Sequence, residues 1–445
     1  MNFLVPVMIW GWIPFNIILF RKFSPQKAIL ISVIGGVIFL PVVSYDLPMI
    51  NYDKAVSIAV ALLCGIIFSG KINELHFTPT KIDMPIFIWC IVSPFLSILT
   101  NGLGPYNAFA ATIQTSLMWG VYYMAGRIYF SDKEDLRFIN RGIILAGIIY
   151  IPLTLFEVRM SPQLSIMIYG FFPHDFLQHL RYGGYRPVVF MTSGLMVSLW
   201  MAATYTVSLW LYKSGEVTKI SKIPMALIVF MLFIVTILCK SANGWVYLIL
   251  GTLFYFYHIK FKWKMIFKII IFIIPIYILF RISGILPVET IIDYLSTIFD
   301  AHRIESLSVR LFQEGLFGSR AMESPILGWG WIGRAWPIDL FSGANAVSMI
   351  DSLYLVTFSI RGFLGLISLY SILLLGPWRI LKTANKSIDA VVLSLIILFY
   401  TIDTLLNGLF NPIYILVVGA LVSFSEKMKD ERVTATDELA LREKG

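Results

Sequence analysis

Charge is scarce in this chain: Asp, Glu, Lys and Arg make up 14% of its 445 residues, while 58% are hydrophobic. Soluble domains average about 25% charged residues, so an ordinary water-soluble fold is excluded. Cysteine is nearly missing as well. Cys64, Cys90 and Cys239 are the three, each inside an apolar run, which excludes a disulfide framework and leaves them as packing residues. Of the five histidines, His174 and His179 flank Asp175 without the i,i+4 spacing of a helical metal pair and with no Cys nearby. That stretch reads as a solvated loop, and no metal or cofactor is expected. Internal repeats and low-complexity segments are missing too, which counts against a transporter, because many transporters show two-fold repeats and interrupted spans at matching positions. The net charge of +9 reflects loops lying near anionic lipid head groups, and nucleic-acid binding has no support.

What the chain does have is apolar runs of spanning length from end to end. Thirteen can be counted, the first near residues 3–20 and the last near 412–425, and 12–14 transmembrane helices are expected, several shorter than the roughly 20 residues of a straight span. The fold class is therefore all-α, a polytopic integral membrane helix bundle. Basic runs at Arg21 to Lys27, Arg127 to Arg141, Lys213 to Lys222, Lys260 to Lys268 and Arg379 to Lys386, with the tail after Lys427, fall on one side under strict alternation. By the positive-inside rule that side is cytoplasmic. The N-terminus then lies outside, and the first run, with no basic flank before it and no small-residue cleavage site after it, reads as a span and not as a secretory signal. The expected organisation is N-terminal helices over 1–156, a first outer loop at 157–187 and central helices over 188–284. A large outer loop at 285–350 follows, then C-terminal helices over 351–425 and a disordered cytoplasmic tail at 426–445.

The basic residues sort by type across this bundle. The outer segments carry nine Arg but only Lys54 and Lys240, whereas the inner ones carry seventeen Lys and seven Arg. The positive-inside rule gives no reason for Arg outside. Arg presents a planar fork of donors that matches phosphate and carboxylate oxygens two at a time, so a group of outer Arg points to an anionic ligand.

The large loop has apolar residues at helical spacing between Pro287 and Met322, which predicts two amphipathic helices at the outer interface. At 100° per residue, Arg303, Arg310 and Glu314 fall within about 40° of one another on the second. A glycine- and tryptophan-rich turn follows, Pro325-Ile326-Leu327-Gly328-Trp329-Gly330-Trp331-Ile332-Gly333-Arg334. Asp351-Ser352-Leu353-Tyr354-Leu355 then opens a span that continues through Arg361-Gly362-Phe363-Leu364-Gly365.

This order resembles the O-antigen polymerase and ligase superfamily. Its members are many-span bacterial inner-membrane proteins with one large periplasmic loop late in the chain. That loop carries an Arg in a helix, a Pro-x-x-Gly-x-Gly turn, and a polar residue before Asn-x-Tyr-Leu, which leads into a span with Gly-x-x-Gly. Arg310, Pro325, Gly328, Gly330, Tyr354, Leu355, Gly362 and Gly365 fit that plan. Upstream, Arg186-Pro187-Val188-Val189-Phe190, before the seventh span, resembles the Arg-containing entry to the family's conserved half, and Ser241-Ala242-Asn243-Gly244 stands where members often have Ser-Arg-Gly. The likeness covers roughly residues 180–425, and the first 150 residues share hydropathy only. Ligases of the family carry His just before Asn-x-Tyr-Leu, where this chain has Asp351, and Ser352 replaces the Asn. A ligase acting on lipid A core is thereby disfavoured, and an exopolysaccharide or O-antigen polymerase is favoured.

The resemblance implies a metal-independent glycosyltransferase with its site on the periplasmic face. A glycan on undecaprenyl diphosphate is the donor, and a sugar hydroxyl of another lipid-linked repeat is the acceptor. Its partners would be those two lipids, the bilayer and a chain-length regulator protein, and its stereochemistry inverting. Charge-assisted contacts to phosphate are about 1.5 to 3 kcal/mol each. Arg186, Arg303 and Arg310 are assigned to the diphosphate, with Lys240 and Arg334 behind them. Asp351 is the first choice for base or acceptor-orienting group, and Glu314 the second. Plainer accounts stand beside these: Asp351 as a helix N-cap, Arg186 as an interfacial anchor, and Arg310 with Glu314 as an i,i+4 surface pair worth about 0.3 to 0.5 kcal/mol.

Arg361 lies within a span, where an unpaired cation costs at least a few kcal/mol, and Asp403 lies near the end of the next. They are expected either to pair with each other or to line a path for the acceptor sugar. Trp329, Trp331 and Tyr185, with Trp336 and Tyr182, are candidates for stacking on sugar rings, and an interfacial aromatic belt is the other account. A transporter or flippase of lipid-linked oligosaccharide would keep the same architecture, but the candidate charges here gather at one outer face.

Overall fold

Each apolar run becomes a helix, and the breaks between helices fall at Pro, Gly and charged residues. The computed structural model describes residues 1–70, 78–173, 176–260, 264–297, 301–338, 345, 347, 350–382 and 387–442. Helices α1 (Leu4–Lys22) and α2 (Pro25–Phe39) turn back on each other with Pro25 at the first helical position, where its missing N–H costs nothing. A hairpin of β1 (Ser44–Leu47) and β2 (Ile50–Asp53) leads into α3 (Lys54–Phe68). The Asp53 carboxylate caps α3 by accepting from the Val56 N–H at 2.8 Å.

Next come α4 (Met84–Phe87) and α5 (Ser93–Thr100), joined by a π turn at Ile88–Val92. They are followed by α6 (Pro105–Thr115) and α7 (Val121–Tyr129), joined by a second π turn at Ser116–Gly120. The long α8 (Lys133–Met160), the short α9 (Leu164–Tyr169) and a hairpin of β3 (Leu180–Arg181) and β4 (Gly184–Tyr185) precede α10 (Gly194–Lys213). After the hairpin of β5 (Lys219–Ile220) and β6 (Ile223–Pro224) come α11 (Met225–Leu238), α12 (Ala242–Lys260) and α13 (Lys264–Ile282). The predicted amphipathic pair is present as α14 (Val288–Ser296) and α15 (Ala301–Ala321), with the one-turn α16 (Ile332–Ala335) beyond them. The chain closes with α17 (Leu353–Lys382), α18 (Ile388–Asp403) and α19 (Pro412–Arg442).

Among the described residues six helices are long and apolar enough to cross a membrane: Leu4–Lys22, Lys81–Thr100, Lys133–Met160, Gly194–Lys213, Lys264–Ile282 and Leu353–Lys382. This is a mostly helical, multi-pass membrane protein. Buried residues of α10 run without a break from Met196 to Leu211, because α8, α11, α12 and α18 surround it, and a helix apolar on all sides belongs in such a centre. Helices α7 and α19 touch backbone to backbone. A Cβ on Gly126 would meet the Leu416 carbonyl at 2.0 Å and one on Gly419 the Tyr123 carbonyl at 2.1 Å, the close approach that small residues permit between membrane helices.

The tail departs from expectation. Instead of becoming irregular at Glu426, α19 continues as helix to Arg442, and Glu426 and Lys427 are tied to Arg379 and Asp132 by ion pairs. Those contacts extend the helix beyond the last apolar turn.

Candidate functional site

Three constellations gather at the end of the bundle opposite the basic runs. The first is built on the β3–β4 hairpin. Tyr182 and Gly183 both take positive φ (50° and 67°), the backbone of a tight two-residue turn, and this folds Arg181 back toward Arg186. Both guanidiniums donate to the Gln178 carbonyl, at 3.4 and 3.2 Å. Lys240, between α11 and α12, reaches the Tyr182 carbonyl at 3.5 Å. Three cations thus surround one hairpin, and among the described residues they meet backbone carbonyls and no carboxylate. Burial pushes the Arg186 pKa down, and the charge of Arg181 pushes it further the same way.

The segment that follows is pinned at several points. Glu157, buried at the end of α8, accepts from the backbone N–H groups of Leu164 (2.9 Å), Val188 (2.8 Å) and Val189 (2.7 Å). Lys54 donates to the Phe190 carbonyl at 2.7 Å. Val189 holds a φ of 55°, an unfavourable conformation for a β-branched residue, and Glu157 stabilises it. Neither Glu157 nor Arg181 was singled out by the sequence reading. A lone Glu ending an apolar run, 31 residues before the segment it holds, has no local signature.

The second constellation joins α13, α15 and α17. Arg310 on α15 pairs with Asp351 at 2.8 Å, both side chains about one-third exposed. One turn along α15, Glu314 turns inward and pairs with Arg281 of α13 at 3.5 Å, with 3% and 7% of the side chains exposed. Arg310 and Glu314 therefore do not form the expected i,i+4 pair, because each has a partner outside α15. Nor is Asp351 the N-cap of α17: it precedes that helix by two residues and its carboxylate faces Arg310. Burial raises the Glu314 pKa, opposed by Arg281, by the Ser352 hydroxyl and by Arg310. Arg281 was missed in the sequence because a cation ending an apolar span is usually an interfacial anchor. Arg303 sits on α15, with its side chain outside the described residues.

The glycine-rich turn docks against a break in α17. Gly362 takes φ 60° and ψ −160°, which only glycine adopts readily. Into the gap come Trp329 N–H to the Ser359 carbonyl (2.8 Å) and Gly330 N–H to the Ile360 carbonyl (2.9 Å). In return, Phe363 N–H meets the Pro325 carbonyl (2.7 Å). A Cβ on Gly328 would strike the Ile360 carbonyl carbon at 2.4 Å, and one on Gly362 the Ile326 carbonyl carbon at 2.3 Å. The two glycine motifs read from the sequence are halves of one joint. Arg334 fastens it to the α5–α6 connection through the Asn101 carbonyl at 2.8 Å. Trp329 is covered by the Arg320 guanidinium at 3.8 Å, and Tyr185 tilts against Phe176, so neither is a free stacking surface. Trp331 is 61% exposed.

Arg361 and Asp403, expected as a pair or a common path, go separate ways. Arg361 lies over the Trp89 ring at 4.2 Å and donates to the Trp89 carbonyl (3.2 Å) and the Thr115 hydroxyl (2.6 Å). Asp403 accepts from the Asn243 and Asn407 amides, both at 3.1 Å, and from the Tyr247 hydroxyl at 3.3 Å. The break at Gly362 accompanies the turn of Arg361 toward Trp89. His179, placed by the sequence in a solvated loop, is buried with its ring against Phe172, while His174 and Asp175 lie outside the described residues.

The α18–α19 connection touches the first two constellations. Asn243, bound to Asp403, lies three residues after Lys240, and a Cβ on Gly408 would meet the Asp351 carbonyl at 2.9 Å. Gly408 and Leu409 also line a cavity of about 460 Å³ with Asp53, Lys54, Thr192 and Met196. Among the described residues the hairpin cations and Arg310 keep separate partners. Comparison with protein-family models, with curated proteins and with solved structures finds no match for this chain.

Proposed function

We propose that this chain is a polysaccharide polymerase of the bacterial inner membrane, crossing it about thirteen times and working at the periplasmic face. What supports this most is the hairpin. Among the described residues Arg181, Arg186 and Lys240 converge on carbonyl oxygens alone, and a group of cations without a counter-charge favours binding a polyanion. The undecaprenyl diphosphate of a donor glycan is such an anion at the membrane surface. Arg310 and Asp351 supply the second half: a cation for the leaving phosphates and a solvent-reached carboxylate for the acceptor.

In the reaction, the acceptor hydroxyl oxygen bonds to the donor's anomeric carbon. The bond from that carbon to the phosphate oxygen breaks, and its electron pair leaves on the lipid diphosphate. Asp351 orients the acceptor and takes its proton once Arg310 turns to the phosphates. Glu314, behind it, keeps Arg281 in place and fixes the face that α15 presents.

Glycan length in a deletion strain tests the reading. Wild type restores long chains, whereas Arg310→Lys, Asp351→Asn and Arg186→Gln at matched abundance leave single lipid-linked repeats. Long chains from all three variants would remove these residues from the site. Long lipid-linked chains piling up, with polymer missing from lipid A core, would replace polymerase by ligase.

A further inference from the structure

A second cavity opens beside the glycine joint, away from the hairpin and the Arg310 pair. Its volume is about 600 Å³, within the roughly 300 to 1,000 Å³ common for small-ligand pockets. It lies between the β1–β2 hairpin, α5, α6 and the joint, so its mouth is at the outer face. Arg361 and Trp331 both line it, Arg361 half-buried and so taken as its floor, Trp331 largely exposed and so taken as its rim.

The floor is electrostatically incomplete. The Arg361 guanidinium is held by an indole face, a carbonyl and a hydroxyl, and among the described residues no carboxylate pairs with it. A partly buried cation satisfied only by neutral groups is stabilised by an anion that reaches it. The rim is built for a hydroxylated ring. Trp331 stacks on no other ring among the described residues and is largely exposed, next to Gly330 at φ 74°. Asn107 donates to the Leu103 carbonyl through its amide nitrogen, which leaves its amide oxygen for an incoming hydroxyl. Asp46, exposed at the mouth, accepts hydroxyl donors and repels carboxylates, so an anionic group is directed inward to Arg361. Gln114 is occupied, since its amide bonds the Asn51 N–H and carbonyl at 3.0 and 3.2 Å and braces the wall.

We infer that this cavity binds an acidic sugar of the glycan, its carboxylate on Arg361 and a neighbouring ring on Trp331. It rests on the polymerase reading only for the identity of that glycan as the acceptor, and the repeat unit should then contain a uronic acid.

The test uses full-length protein in phosphatidylcholine nanodiscs, labelled with 5-fluorotryptophan and titrated with trigalacturonate or neutral maltotriose. The Trp331 fluorine resonance is identified by its loss in Trp331→Phe. It should shift saturably with trigalacturonate, and about tenfold or more weakly with maltotriose, the value of one charge-assisted contact. Arg361→Gln should erase that preference. Trp331→Ala alters an exposed side chain and folds regardless, and by calorimetry it should weaken both sugars alike. Arg310→Lys should bind trigalacturonate as wild type does, so loss of polymer in that variant and loss of this site are told apart. Equal affinity for the two sugars, or no shift in folded wild type, would overturn the inference. So would a Trp331 shift produced by adding phosphatidylglycerol that also blocks trigalacturonate, since the anion would then be a lipid phosphate.

Discussion

At the end of the bundle that carries the basic runs, Arg127, Arg137 and Arg379 close on carboxylates; at the β3–β4 hairpin, the cations among the described residues close on carbonyls. Arg127 pairs with Asp83 at 3.2 Å, Arg137 with Glu134 at 3.2 Å, with Glu216 and, at 3.6 Å, with Asp389, and Arg379 with Glu426. These contacts join α7 to the start of α4, α8 to α18, and α17 to α19. Charge there is consumed in holding helices together. Among the described residues Arg181, Arg186 and Lys240 pair with no carboxylate of another helix, so their field remains available to a ligand. Between these extremes stands α15, where Glu314 is tied to Arg281 of α13 and Arg310 to Asp351 just before α17, the second pair open to solvent. The rule drawn from the contrast is that the partner of a cation, more than its position, separates a clamp from a binding group.

Removing one cation from each end would break this contrast if it is wrong. Arg137→Gln leaves the fully buried Asp389 with Asn140 as its remaining side-chain partner (2.9 Å). Stripping one member from a buried pair costs about 3 kcal/mol, so detergent-solubilised protein should melt several degrees lower while the glycan made per folded molecule is unchanged. Arg186→Gln should do the reverse. The loss of one phosphate contact lowers polymerisation by roughly 10- to 100-fold, and melting stays level or rises slightly as the repulsion from Arg181 is relieved. An Arg186 variant that melts early with full specific activity would make the hairpin a clamp.

The middle case can be sharpened by reversal. With Arg310→Asp and Asp351→Arg combined, the ion pair is restored in the opposite sense. Since both side chains are about one-third exposed, stability should change by less than about 1 kcal/mol. Polymer should remain absent, because a reversed pair faces phosphate with the wrong sign. Recovery of long chains in the double variant would show that only the pairing matters.

These assignments also mark what the sequence can carry. Helix positions were legible because an apolar run bounded by Pro, Gly or charge leaves the backbone one way to satisfy its hydrogen bonds in lipid. The amphipathic α14 and α15 followed from spacing alone. Partners were not legible. Glu314 and Arg310 share a face by helical arithmetic, but α13 and α17 decide which of them turns inward, and that depends on contacts 33 and 41 residues away. Arg361 and Asp403 each looked in need of a counter-charge, yet an indole, an amide pair and hydroxyls served instead. Neutral partners of this kind leave no pattern in composition. The glycine joint lay between: both halves were visible as motifs, and only the fold joins Gly328 to Gly362.

The smallest expected effect lies at Glu314, where clamp and binding group meet. Burial raises its folded-state pKa above the ordinary Glu range, despite Arg281. A carboxyl with a raised folded pKa contributes its full stability below the unfolded value, about 4.3, and loses it as pH rises through the folded value. Wild-type melting should therefore decline from pH 4.5 upward relative to Glu314→Gln, whose side chain stays neutral, and the two curves should lie closest at the acid end. The gap stays small because Arg281 returns part of what burial takes away. If Glu314→Gln is instead the less stable protein at pH 7 and the difference shrinks toward pH 4, the Arg281 pair outweighs burial. Glu314 would then belong with the inner clamps, and α15 would present Arg310 from a face fixed by an ionised pair.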